Sequence, residues 1–284
     1  MDYIVILIMC IFASAKLCFR NIFDKKNSKN SIDIWYFNVF AFMMPALVLL
    51  PKVFVTRPIV LAYAAIAAVL MVLCYFFYTK ALSFNSDAPA TAVVVNFALV
   101  INVVTSFFFF HEPISNIRFV GIALAVVAFI ICGGIPKKSA NKKWLTFSVL
   151  AMLTYSATAI VQKLFGASPY SEENFAFVSF LYAVASATSA VIYFFLRRKE
   201  KVSYKMDLSA LSFILGVGLC LGVFQAIYMF IMSRLDGTFF FPVQTATTTI
   251  LSVIAGILIF KEKFSKRQLL GAVLSFVSLI LVSY

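Results

Sequence analysis

Runs of apolar residues, each long enough to cross a bilayer, alternate along the whole chain with short polar breaks. A spanning helix needs about 20 mostly apolar residues, and such runs predict helices over 3–19, 33–50, 59–80, 88–110, 116–133, 144–163, 175–196, 209–232, 238–260 and 266–284. The breaks between them are too short to hold a folded soluble domain. The pattern therefore predicts an all-α integral membrane protein with ten transmembrane helices.

The runs are not independent of one another. Sliding the chain by 150 positions lays Phe110, Glu112, Ser115, Gly121 and Leu124 over Phe260, Glu262, Ser265, Gly271 and Leu274, and the same offset places Tyr78 on Tyr228 and Tyr75 on Gln225. Nearer the start, Ser14 pairs with Ser156 in the second copy. Self-similarity at a fixed period marks a duplicated unit. The chain divides into a first five-helix repeat at 1–134, a cytoplasmic linker at 135–143 and a second five-helix repeat at 144–284. An odd number of helices per copy makes the copies insert with opposite orientation, so the expected fold is two inverted five-helix repeats.

Composition agrees with that picture and charge orients it. With 63% hydrophobic and 12% charged residues and a mean hydropathy of +1.01, the chain lacks the polar surface of a soluble globule. A net charge of +13 could serve nucleic acid, but its placement argues against such a partner. Basic residues crowd alternate loops: Arg20, Lys25, Lys26 and Lys29; Lys137, Lys138, Lys142 and Lys143; Arg197, Arg198, Lys199, Lys201 and Lys205; Lys261, Lys263, Lys266 and Arg267. The other side carries only Lys52, Arg57, Arg118, Lys163 and Arg234. Short loops rich in Lys and Arg stay cytoplasmic, so the expectation is a multi-pass protein of the cell membrane, plasma or inner, with both termini outside the cytoplasm. Counterpart loops of the two copies carry opposite bias, as inversion requires. Ala13-Ser14-Ala15 mimics a signal cleavage site, but Met1-Asp2 supplies no basic leader, and 3–19 reads as a retained helix. The five cysteines sit singly with no metal or disulfide spacing, so no metal or other cofactor is expected.

Polar residues inside the apolar runs are the candidates for contact with a solute. Ser14, Tyr75, Tyr78, Asn96, Tyr155, Gln225, Tyr228, Gln244 and Thr248 are expected to line a central cavity, several of them as repeat partners. Asn96 and Asn102 cannot share a helix face, so one can line a cavity while the other bonds a neighbouring helix. Lys16 and Arg20, near the end of the first run, are expected to snorkel toward the cytoplasmic headgroups. The shared Glu112 and Glu262 stand at the membrane edge as anchors of a helix turn or as gates. Ser115 and Ser265 read as helix caps, Ser265 with Gln268 forming a capping box. Gly218 and Gly222 form a small-xxx-small pair suited to close helix packing. His111 reads as a solvated boundary residue. With one histidine and no paired acids inside the membrane, the chain is not expected to be an enzyme.

The duplicated F-x-E-x-x-S-x-x-x-x-x-G motifs, at Phe110–Gly121 and Phe260–Gly271, resemble those of the drug/metabolite transporter superfamily, especially its EamA branch. The resemblance covers essentially the whole chain. It implies that Glu112, Glu262, Gly121 and Gly271 are motif residues of the fold. It also implies a carrier with a cavity between its halves, working by alternating access, often as an exporter of amino acids or other metabolites. Lys16, Lys80 and Lys163 all read as lying near helix ends, so a neutral or zwitterionic small molecule is the expected substrate. A phosphorylated-metabolite or drug exchanger is the alternative, and a channel a lesser one. The expected partners are that small molecule and the lipid bilayer, with the protein a monomer or homodimer.

Overall fold

The computed structural model of the chain describes residues 2–27, 31–49, 56–84, 91, 94–133, 142–200, 208–259 and 266–283. These residues form α-helices, a short 3-10 turn at Ser171–Glu173 and no strand. In chain order the helices are α1 (Asp2–Asn27), α2 (Ser31–Leu49), α3 (Pro58–Phe84), α4 (Ala98–Phe110), α5 (Asn116–Gly133), α6 (Lys142–Gly166), α7 (Asn174–Glu200), α8 (Leu208–Met232), α9 (Gly237–Leu258) and α10 (Lys266–Ser283). Six of the described helices are long and apolar enough to cross a membrane, and four shorter ones, at Ile32–Val48, Val94–Phe110, Asn116–Ala128 and Leu269–Val282, are also apolar. Phe108, Phe109, Phe119, Phe195 and Leu258 are exposed, a cost in water that lipid removes.

Two elements depart from the expected boundaries. α1 runs on to Asn27 rather than ending near residue 19, because Arg20, Lys25 and Lys26 favour helix and Phe23, buried against Phe37 at 4.4 Å between ring centres, holds the added turn in place. The run expected as one helix over 88–110 is interrupted at Phe97, where Phe97 N donates to Val94 O and Val100 N to Phe97 O. Those three-residue bonds tighten the backbone, and α4 proper starts at Ala98.

The chain packs as two compact units, and each takes helices from both halves of the sequence: Met1–Val72 with Leu164–Ser233, and Leu73–Lys163 with Arg234–Tyr284. In the first unit α2 lies against α7, and α1 and α2 against α8. Ser179 Oγ donates to Ala46 O at 2.9 Å and Ser186 Oγ to Val39 O at 2.8 Å, so α2 and α7 run antiparallel. Gly218 permits the α2–α8 approach, since a Cβ there would lie 2.6 Å from Met44 Cβ and 3.0 Å from Ala41 O. Gly222 faces Pro45 of the same helix.

In the second unit α5 packs on α10 and α4 on α9. Ser278 Oγ donates to Gly121 O at 2.8 Å, and Arg267 Nη2 reaches Ile130 O at 3.5 Å, so α5 and α10 are also antiparallel. A Cβ on the motif glycine Gly121 would lie 2.7 Å from Val282 Cγ2 and 3.0 Å from Val282 N. The end of α3 meets α6 through Ala81 and Trp144, and Phe84 stacks on Phe147.

Candidate functional site

Glu112 is where the second unit converges. The chain leaves α4 through His111, whose φ of 55° turns the backbone, while His111 Nδ1–H donates to Phe108 O at 3.0 Å. That turn delivers the Glu112 carboxylate to the first turn of α9. Oε2 accepts from Thr238 N at 3.0 Å, and Oε1 lies 2.7 Å from Lys163 Nζ, with the two side chains only 8% and 7% exposed. Lys163 Nζ also donates to Leu235 O at 2.8 Å. Asp236, the residue at the N-cap of α9, makes no capping bond, so Glu112 brings negative charge to that helix start from outside the helix. One ion pair thereby ties the end of α4, the end of α6 and the start of α9. Three residues further on, Ser115 Oγ accepts from Arg118 N at 3.2 Å and caps α5. Gly271, the other described motif residue, is buried within α10. Glu262 and Ser265 lie outside the described residues.

The same unit holds Tyr75, Tyr78, Asn96, Tyr155, Gln244 and Thr248. Tyr155 stands beside Tyr75 and Cys74 and is 44% exposed. Tyr78, Asn96, Gln244 and Thr248 are half-buried, the last two one turn apart on α9. Asn102 is the asparagine that bonds a neighbouring helix, accepting from Ser156 Oγ at 2.6 Å.

Ser14, Gln225 and Tyr228 belong to the first unit, all buried. The Tyr228 ring lies 5.7 Å from that of Phe224. Ser14 Oγ and Gln225 Nε2 are enclosed by protein yet have no hydrogen-bond partner. The same unit holds Lys16, expected at the headgroups. Lys16 sits near the middle of α1, and its Nζ lies 4.1 Å from the centre of the Phe224 ring on α8, beside Cys220. The helices are antiparallel here, for Phe19 meets Gly216 while Lys16 meets Phe224. The turn of Phe224 is therefore farther from the charged end of α1 than Lys16 is, and the side chain points inward along the helix. Arg20, one turn nearer that end, lies over Phe37 and donates to Asn38 Oδ1 at 3.0 Å. The apolar span of α1 ends at Arg20, so Lys16 stands one turn inside that end, with its side chain leaning back along the helix toward Phe224. Among the described residues Cys10, Cys18, Cys74 and Cys220 form no disulfide.

The model of the EamA-like transporter family matches residues 3–133 and again residues 142–284. A solved structure, titled only "Crystal structure of protein", is similar in fold, with a TM-score of 0.76 over 98% of this chain and 96% of that one at 13% sequence identity. No curated protein matches the chain in sequence.

Proposed function

The chain belongs to the EamA-like transporter family, a family of membrane carriers for small solutes, and from that premise we propose that it is a secondary transporter working by alternating access. The observation that carries this reading is the antiparallel packing of like helices. α2 and α7 occupy equivalent places in the two matched segments, as do α5 and α10, and each pair is antiparallel. Equivalent segments that run in opposite directions are what an inverted repeat requires, and an inverted repeat supplies two related states open to opposite sides. On this reading all ten helices cross the bilayer, the protein is not an enzyme, and both termini lie outside the cytoplasm of a cell whose plasma or inner membrane it occupies. The substrate is a neutral or zwitterionic metabolite, such as an amino acid, and the direction is export.

The test is flux through purified protein in liposomes. Loading with a mixture of amino acids should give saturable efflux and counterflow, with labelled solute accumulating against its gradient while unlabelled solute leaves. Flux that rises linearly with concentration and shows no counterflow would identify a channel instead.

A further inference from the structure

The geometry points to Lys16 as the binding group for a carboxylate on the transported solute, an inference that rests on the transport reading and names its substrate class. An ammonium within the apolar span of a membrane helix, as Lys16 is in Tyr3–Arg20, is costly unless something compensates it. Among the described residues Lys16 makes no ion pair and no hydrogen bond; its recorded neighbours are the face of Phe224 and the Cys220 thiol. A ring face attracts a cation but leaves the ammonium's donors unused. By contrast, the buried Lys163 has a carboxylate at 2.7 Å and a carbonyl at 2.8 Å. Arg20 likewise has Asn38.

The fold itself does not call for a lysine at this place. The offset that pairs Ser14 with Ser156 pairs Lys16 with Thr158, and Thr158 satisfies itself by donating to Thr154 O at 2.8 Å. Ser156 similarly has Asn102, whereas Ser14 has no partner. Tyr75 stands beside Tyr155 in the second unit, and their counterparts in the first are Gln225 and Ala13. Gln225 therefore belongs at the level of Ser14. Ala13 and Lys16, three positions apart, share the face of α1 turned to α8, whereas Ser14 faces another side; the Lys16 ammonium and the Gln225 Nε2–H, neither with a protein acceptor among the described residues, are the donors offered to a carboxylate at the α1–α8 contact. A doubly charged phosphate would call for a second free cation, and the nearest basic side chain, Arg20, is already engaged.

Binding and transport are measured separately. Full-length protein in detergent is melted in the presence of the proteinogenic L-amino acids, simple 2-oxo acids, the corresponding amino-acid amides, and glycerol 3-phosphate. At least one carboxylate should raise the melting temperature while its amide does not. Lys16→Met should weaken that carboxylate by roughly tenfold or more, and Lys16→Arg should stay within about threefold. Ligand-free Lys16→Met should melt no lower than wild type, since it removes an uncompensated cation, and Lys16→Gln provides a second neutral variant. The proposal is overturned if no carboxylate stabilises the wild type, if acid and amide act alike, if glycerol 3-phosphate alone binds through Lys16, or if the neutral variants bind normally. Lys16-dependent stabilisation without saturable flux would leave this site standing and remove the transport reading. Saturable carboxylate flux unchanged in both neutral variants would do the reverse.

Discussion

Glu112 shows how one side chain can be both a family marker and a structural tie. Its carboxylate neutralises Lys163 and accepts the Thr238 amide, so removing either charge leaves the other buried. Breaking a buried pair from one side costs about 3–5 kcal/mol, whereas removing both charges costs far less. Glu112→Gln and Lys163→Met should each lower the melting temperature clearly, and the double variant should recover much of the loss. Additive losses in that cycle would mean that the two residues act independently. The duplication marks Glu112 in the sequence through Glu262 but gives no sign of Lys163, whose place in the first copy is taken by Asn21. A pair formed between distant turns of an unrepeated kind leaves no periodic trace. Nor does the sequence show that the Lys16 side chain leans along α1 toward Phe224, since an apolar run marks where a helix meets lipid and not where a side chain points.

Helices follow the apolar runs closely because a segment in lipid must satisfy its backbone internally. α5, α8 and α10 therefore begin and end within a residue or two of the runs, while α4 breaks at Phe97 for local backbone reasons that hydropathy does not encode. Which helices touch is written in small residues. Gly121→Ala would push a methyl against Val282 Cγ2 and the Val282 backbone, and Gly218→Ala would push one against Met44 Cβ and the Ala41 carbonyl. Overpacking of this kind costs about 1–3 kcal/mol. The two sites should differ in how they are rescued. Val282→Ala removes the nearest atom facing Gly121 and should restore part of the stability, but Met44→Ala keeps the offending Cβ and should restore none to Gly218→Ala. Thermal melts of the four combinations decide it, and equal rescue at both sites would contradict this account of the packing.

At the scale of the molecule, the 150-residue offset tells which segments are alike but not which ones pack together, and the compact units drawn from both halves could be seen only in three dimensions. Orientation is a matter of charge. A reporter active only outside the cytoplasm should be active when fused after Tyr284 and silent when placed at Lys138, because the basic loops stay inside; the opposite pattern would reverse the orientation and leave the antiparallel pairs untouched. Charge also bears on what can be carried. Among the described residues the acidic side chains stand at loops or near helix ends, Glu112 is already paired, and Lys16 is a cation within the apolar span of α1 without a counter-charge. An organic cation entering there would meet repulsion from Lys16, and an unpaired charge at the bilayer centre costs about 2.5–3.5 kcal/mol even on the mildest scale. Quaternary ammonium dyes should therefore show no saturable efflux from proteoliposomes, with or without a proton gradient. Proton-driven export of such a dye, persisting after Glu112→Gln and Glu262→Gln, would mean that the charge on the substrate is not selected as Lys16 implies.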